Sequence, residues 1–141
     1  MTMAQDSPEQ LRDLVMSAAR ALRRRWFTAL EPWGLSPHEY RALRAIHGGD
    51  SPRLGDVAKA LRIAPRSATE VVDRLEKGGL IERIPDASDR RAMCVRLTAQ
   101  GGRVITELDA ARDADAAEFF ADLPAGDRAA LRRILEALPR P

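Results

Sequence analysis

Side chains that could recognise a nucleic acid are clustered at two places in the middle of the sequence. The first cluster consists of Arg66, Ser67, Thr69 and Glu70. The second is the adjacent pair Arg90 and Arg91. A guanidinium group binds phosphate or the edge of guanine, a hydroxyl group donates or accepts, and a carboxylate accepts from cytosine. Such side chains are typical of a surface that contacts a duplex.

The elements that must position these clusters are two short helices and a hairpin. Apolar residues at three- and four-residue spacing predict helices at about 54–61 and 65–77, and only three residues separate them. The core-facing residues of the second helix would be Ala68, Val71, Val72 and Leu75. The first cluster would then lie exposed on its opening turns. The period next changes to 2, which predicts strands at about 80–84 and 93–97 with the arginine pair at their connecting tip.

Two helices joined by a tight turn and followed by a hairpin form a winged helix-turn-helix pattern. A helix has the diameter of the major groove, and its first turns reach the base edges. The hairpin, or wing, can place a basic tip in the adjacent minor groove, where arginine is attracted to narrow A·T-rich segments. The pattern therefore predicts contacts with double-stranded DNA.

Further helices are predicted on both sides of this pattern. Two precede it, at about 8–30 and 37–48, and each begins with a serine–proline capping signal. Two follow it, at about 98–121 and from about 124 onwards. The predicted buried residues of the last helix are Leu131, Ile134, Leu135 and Leu138. The predicted fold class is mainly α with a small β-hairpin wing, a winged helix-turn-helix lobe accompanied by a helical region.

Composition fits one globular domain whose basic character is concentrated in its centre. The chain has 141 residues, 45% of them hydrophobic, and a net charge of only +2, which alone argues weakly for DNA. Residues 53–96 hold ten basic and seven acidic side chains, whereas residues 97–141 hold six and eight. The sequence has neither an apolar run long enough to span a membrane nor the apolar stretch of a signal peptide. We therefore expect a cytoplasmic protein that has no membrane partner.

The sequence contains no pattern that predicts an enzyme. Two histidines, His38 and His47, and the single Cys94 are too few for a persuasive metal site, and phosphate-binding glycine loops and nucleophile motifs are missing. We therefore expect no catalytic residue, no metal and no cofactor. Cys94 is either a redox switch or an incidental thiol, and its predicted mid-strand position favours the second interpretation.

Three stretches of the sequence resemble the multiple-antibiotic-resistance regulator (MarR) family. They are VDRLEKGGLIER at 72–83, DASDRR at 86–91 and VRLTAQG at 95–101. With the flanking helices, the resemblance covers nearly the whole chain. It implies a homodimeric transcription regulator whose two recognition helices meet successive major grooves of a near-palindromic operator.

The resemblance also implies how the chain is divided and regulated. An N-terminal helix, 1–34, and C-terminal helices, 99–141, would form the dimer interface around a DNA-binding lobe at 35–98. Many members of the family are repressors that small molecules release, often phenolic or anionic aromatic compounds. Two alternatives stay open, namely a DNA-binding regulator without a ligand and a helical protein-interaction module with a winged-helix lobe.

Particular residues can be matched to roles through this resemblance. Arg91 would enter the minor groove and Asp89 would help to hold the wing, while Arg74 would either bind phosphate or pair with Asp89. Glu70 stands where many members carry arginine, and it would read cytosine or pair with a nearby arginine. Ala64 replaces a capping serine or threonine. These departures predict an operator different from those of well-known members.

The implied effector pocket would need an aromatic stacking surface and a cation. The residues that could supply them are Trp26, Trp33, His38, Tyr40 and Arg41. Core packing is the alternative interpretation for each of these side chains.

Overall fold

The structure is a computed structural model that describes residues 7–141, and its elements follow the predicted order. The helices before the hairpin are α1 (Pro8–Leu30), α2 (Pro37–Gly48), α3 (Leu54–Leu61) and α4 (Pro65–Lys77), with one 3-10 turn at Glu31–Trp33. The hairpin is β1 (Ile81–Pro85) and β2 (Met93–Leu97), and α5 (Ala99–Phe119) and α6 (Ala125–Ala137) follow it. The predicted fold class is confirmed.

Capping side chains begin α1, α2 and α5, and the serine caps of α1 and α2 were predicted from the sequence. The Ser7 hydroxyl accepts from the Gln10 amide at 3.2 Å, and the Ser36 hydroxyl accepts from the Glu39 amide at 3.2 Å. The Thr98 hydroxyl accepts from the Gly101 amide at 3.0 Å. Each cap satisfies one of the backbone donors that a helix start leaves without an intrahelical partner.

The described chain divides into two compact units. One contains the described residues as far as Trp26 together with Ala111–Pro141, and the other is Phe27–Ala110. Each unit therefore takes part of α1 and part of α5. The first six residues of the predicted 1–34 segment lie outside the described residues.

The Phe27–Ala110 unit contains the core that positions the two clusters. The predicted inner face of α4 is confirmed, since Ala68, Val71, Val72 and Leu75 are all buried. The amide of Leu80 donates to Leu75 O and so continues the end of α4, which is why β1 begins one residue later than predicted. At Gly101 of α5 an added Cβ would lie 1.9 Å from Leu80 O, so only glycine permits this approach.

The hairpin pairs antiparallel from Ile81 opposite Leu97 to Pro85 opposite Met93. A third backbone segment lies along the other edge of β2, where the Val95 amide donates to Pro52 O at 2.9 Å. An isolated bridge joins Arg53 to Cys94 in the same segment. β2 is therefore paired along both of its edges.

The other unit is formed by helices whose apolar faces are largely uncovered. Arg25 of α1 pairs with Asp115 of α5 at 2.8 Å and lies over the Phe119 ring. The prediction that α6 buries its apolar residues is wrong for a single chain, because Ile134, Leu135 and Leu138 are about half exposed. The described residues supply no further element to pack against them. None of the described helices has the length and apolar character to cross a membrane.

Candidate nucleic-acid interface

Four exposed side chains lie on the first turns of α4, as predicted: Arg66, Ser67, Thr69 and Glu70. The helix begins after Ala64, which has extended backbone and supplies no side-chain cap. The Thr69 hydroxyl donates its one proton to Pro65 O at 3.0 Å, so its oxygen is left to accept further hydrogen bonds. The first turns of α4 thus present a guanidinium group, two hydroxyl groups and a carboxylate to solvent.

Neither charged group of this cluster is neutralised within residues 7–141. Arg66 makes no ion pair there, and Glu70 pairs with no arginine side chain. The Glu70 backbone carbonyl accepts from Arg74 Nε at 3.4 Å, but its carboxylate stays exposed. Both groups are consequently available to an external partner.

Arg74 lies on the same helix but faces another part of the lobe. Its Nη1 is 4.0 Å from Glu39 Oε1 at the start of α2. The predicted alternative in which Arg74 holds Asp89 is not seen, since the Asp89 carboxylate is occupied by a backbone amide of the wing. Arg74 remains 60% exposed and can still reach a phosphate.

The wing tip is shaped by two aspartates. Asp86 Oδ1 accepts from the amide and the hydroxyl of Ser88, both at 2.9 Å. Asp89 Oδ1 accepts from the Arg91 amide at 3.0 Å, and backbone hydrogen bonds through Ala92 close the turn. Local side-chain bonds of this kind fix a turn without help from a core. The side chains of Arg90 and Arg91 project from it and make no ion pair with the described residues.

Asp86 also binds Arg53, which precedes α3. Arg53 donates from Nε at 2.7 Å and lies with Nη2 at 2.6 Å from the same Oδ2 atom. The Ser88 amide and hydroxyl, followed by the Arg53 guanidinium, lower the pKa of Asp86 to about 2. The carboxylate is therefore ionised at neutral pH and holds the base of the wing against the start of the helix-turn-helix.

A second arginine joins the wing to α4. Arg83 of β1 donates from Nη1 to Glu76 and from Nη2 to Asp73. The hydrogen bond to Asp73 is the main reason that the pKa of Arg83 is raised. Sequence reasoning missed Arg53, Arg83 and Asp86 as site residues. The turn position of Asp86 was a usable signal, but the long-range partners of the two arginines have no mark in local spacing.

The residues predicted for an effector pocket do not converge on one cavity. Trp26 belongs to the other unit, where it lines a cavity of about 400 Å³. Trp33 lines a separate cavity of about 320 Å³ in the Phe27–Ala110 unit, beside Glu39 and Arg74.

The three other predicted pocket residues are placed elsewhere. Tyr40 is buried, and its hydroxyl donates to Asp109 at 3.1 Å. Arg41 donates to Leu61 O at 3.3 Å, which stabilises the end of α3, and His38 is exposed. Tyr40 and Arg41 thus have packing and capping partners within the lobe.

Cys94 is a buried thiol in β2. Burial raises its pKa, which disfavours the thiolate that redox chemistry requires. Among residues 7–141, no group of three or more His, Cys, Asp and Glu side chains is placed to hold a metal ion.

Arginine and hydroxyl groups are exposed at the start of α4, the second helix of the helix-turn-helix, and the wing tip is basic. These features define a winged-helix protein of the nucleic-acid-binding class. A profile described as the MarR family matches residues 33–92, which contain α2, α3, α4, β1 and the turn of the hairpin. This match confirms the predicted resemblance to the MarR family, which consists of transcription regulators rather than enzymes.

Relatives and solved structures that match along nearly the whole chain agree with this resemblance and with the fold. The HTH-type transcriptional repressor Rv2887 of Mycobacterium tuberculosis is 28% identical over 138 residues, which cover 98% of each chain. The structure of RV1404 from M. tuberculosis superposes with a TM-score of 0.84 at 24% identity, covering 94% of this chain and 92% of that one. A mutant of S. aureus MepR bound to an oligodeoxyribonucleotide superposes with a TM-score of 0.74 at 21% identity, covering 92% and 98%. These structures share the fold.

Proposed function

We propose that this chain is a homodimeric repressor that binds a near-palindromic operator in double-stranded DNA and is released by a small aromatic ligand. One observation carries the DNA-binding part. Arg66 on α4 and Arg90 and Arg91 on the wing are exposed in one compact unit and make no ion pair with the described residues. Operator DNA also implies action in the cytoplasm.

The proposed contacts follow from the chemistry of each side chain. Arg66 donates to guanine or to phosphate, and the Ser67 and Thr69 hydroxyls contact phosphates or base edges. The exposed carboxylate of Glu70 accepts from the exocyclic amine of cytosine. Arg91 enters the adjacent minor groove, with Arg90 beside it on the backbone. Arg74 contributes a phosphate contact.

The proposed dimer uses the uncovered apolar face of the helical unit. The exposed large apolar residues of α1 and α6 are Leu11, Leu14, Val15, Met16, Ile134, Leu135 and Leu138. Beside them is an almost wholly apolar groove of about 360 Å³, which includes Leu14, Leu22, Phe119 and Leu135. A monomeric protein rarely leaves such a surface to water. A second copy would cover it with an identical apolar face. The division at 1–34, 35–98 and 99–141 stays part of this proposal.

The proposed effector site is the cavity of about 320 Å³ beside α4. The Trp33 indole offers a stacking surface, and Arg74 offers a cation that lies 4.0 Å from Glu39. A ligand carboxylate would compete with Glu39 for Arg74. Because Arg74 is part of the recognition helix, that exchange would change how the helix meets DNA.

The experiment that tests DNA binding is selection of bound duplexes from a random pool, followed by titration at several salt concentrations. The proposal predicts a two-fold symmetric consensus bound with a Kd of about 10 nM or tighter. Arg91→Ala should weaken binding about tenfold and lower the salt slope by about one, whereas Arg140→Ala, at the chain end, should do neither. Recovery of no duplex above the non-specific level would contradict it.

Dimerisation and release are tested separately. In sedimentation velocity the wild type should be a dimer, and Leu135→Glu should give a folded monomer. Ala129→Glu adds the same charge to the opposite face of α6 and should stay dimeric. A screen of aromatic acids should find compounds that release the selected duplex from the wild type but not from Arg74→Ala measured at matched DNA saturation. A monomeric wild type would refute the proposed dimer. Compounds that release the duplex from Arg74→Ala as well as from the wild type would refute the proposed effector site.

A further inference from the structure

Arg83 connects the wing to the recognition helix through two carboxylates. Its Nη1 donates to Glu76 and its Nη2 to Asp73, and both acceptors belong to α4. The Arg83 side chain is only 23% exposed, whereas the two acidic side chains are 51% and 40% exposed. The arginine is thus held in the fold, and the two carboxylates lie at the surface of the helix.

The spacing of the partners suits a guanidinium group. Residues three apart on a helix share one face, so Asp73 and Glu76 are neighbours along α4. The planar fork of Arg83 reaches both at once, which a single ammonium group cannot do with the same rigidity. In β1, Arg83 stands opposite the buried Val95, so its backbone is fixed by the hairpin register. Backbone and side chain together restrict the angle between strand and helix.

We infer that Arg83 is a positioning residue for DNA binding, which holds the wing at the angle to α4 that lets both contact the same duplex. The inference rests on the proposed function. A two-stranded hairpin has little stability of its own, and a wing free to move would lose conformational entropy when it binds DNA. The link from Arg83 to α4 removes that entropy cost before the protein meets DNA. The DNA contact of Arg91 therefore depends on Arg83, which itself touches no DNA.

The positioning role and simple electrostatics predict opposite changes in DNA affinity for one double variant. The double variant Asp73→Ala/Glu76→Ala removes two negative charges from a helix that approaches phosphates. Electrostatics alone therefore predicts tighter binding. Positioning predicts weaker binding, because Arg83 loses both of its partners. Both positions are exposed on a helix, and alanine preserves helix propensity, so the variant should fold.

The closing experiment is a thermodynamic cycle on the duplex that the wild type selects. Asp73→Ala/Glu76→Ala should weaken binding about tenfold, and adding Arg91→Ala should then cost less than about threefold instead of about tenfold. Arg83→Lys should lie between wild type and the double variant. The control is Arg96→Ala, which breaks the exposed pair with Glu82 on the same hairpin but leaves α4 untouched. Unchanged or tighter binding by the double variant, or an undiminished cost of Arg91→Ala, would overturn the inference.

A measurement without DNA separates this inference from the proposed function. Spin labels at Ser67→Cys and Ala87→Cys, in a Cys94→Ala background, report the distance between α4 and the wing. The distance distribution should broaden in Asp73→Ala/Glu76→Ala and stay narrow in Arg96→Ala. A distribution that stays narrow in both would refute the positioning role. If the wild type selects no duplex, the proposed function fails, and a broadened distribution would then show only that the link exists.

Discussion

Arg53 Nη2 lies 2.6 Å from Asp86 Oδ2, although 33 positions separate the two residues in sequence. Arg53 is the last residue before α3, and Asp86 is the first residue after β1. The pair therefore fastens the base of the wing to the beginning of the helix-turn-helix. Asp86 accepts two further hydrogen bonds from Ser88, so the same carboxylate also shapes the wing tip.

The first prediction concerns the stability of the fold at acidic pH. The pKa of Asp86 is lowered from 3.8 to about 2, so the folded state binds a proton less readily than the unfolded state. This carboxylate stabilises the fold fully above pH 3.8, and the stabilisation is lost as the pH falls towards 2. As the pH falls from 3.8 towards 2, the free energy of unfolding of the wild type should therefore decrease more steeply than that of Asp86→Asn. Urea unfolding at pH 6, 4, 3 and 2 measures the difference.

The control for Asp86 is Asp122→Asn, an exposed carboxylate after α5. It should follow the acid dependence of the wild type. An Asp86→Asn variant whose stability falls between pH 4 and 2 as steeply as that of wild type would show that other carboxylates account for the loss.

The second prediction compares two adjacent glycines of α5. At Gly101 an added Cβ would lie 1.9 Å from Leu80 O, a backbone atom that cannot rotate away. Gly101→Ala should therefore lower the free energy of unfolding by about 3 kcal/mol or more. Gly102 has no atom within 4 Å of such a Cβ, and Gly102→Ala should raise the free energy of unfolding by about 0.5–1 kcal/mol. Chemical denaturation measures both, and equal effects would contradict the packing of α5 on Leu80.

The third prediction concerns Arg62, which joins α3 to α4 with a φ of 55° and a ψ of 46°. Its amide donates to the end of α3, and a side chain in this left-handed region costs about 1–2 kcal/mol. Arg62→Gly should relieve part of that cost and raise the free energy of unfolding by about 0.5–1 kcal/mol, measured by thermal and urea unfolding.

Gly34 provides the reverse control for Arg62. It has a φ of 64°, and an added Cβ there would meet nothing within 4 Å. Gly34→Ala should therefore lower the free energy of unfolding by about 1 kcal/mol, which is the cost of placing a side chain on left-handed backbone without any steric clash. A loss of stability in Arg62→Gly would mean that the arginine side chain contributes more than its backbone costs.

The parts of the fold predictable from sequence were those with a local signal. The cap at Ser36, the inner face of α4 around Val72 and the placement of Arg91 at a hairpin tip each follow from spacing or turn chemistry. Contacts between distant segments had no such signal, which is why the partners of Arg53 were not foreseen.

The α6 residues show a different limit of sequence reasoning. Periodicity identified the apolar face at Ile134 and Leu135 correctly, but it could not tell whether the covering surface belongs to the same chain. Both residues are about half exposed. The predicted pocket residues do not line one cavity, and the reason is a third one: an aromatic or basic residue such as Tyr40 or Arg41 serves packing and helix ends equally well.

The last prediction concerns how Glu70 contributes to operator sequence. Its carboxylate is exposed on the second turn of α4 and pairs with no arginine of the described chain. A carboxylate can only accept, so it selects the donor amine of cytosine, whereas a glutamine amide donates and accepts and pairs with adenine. Duplexes selected by Glu70→Gln should differ from those selected by wild type at one base pair in each half-site, where cytosine gives way to adenine. Glu136→Gln, on α6, makes the same change of charge far along the chain and should select the wild-type sequence. An unaltered consensus for Glu70→Gln would mean that this carboxylate reads no base.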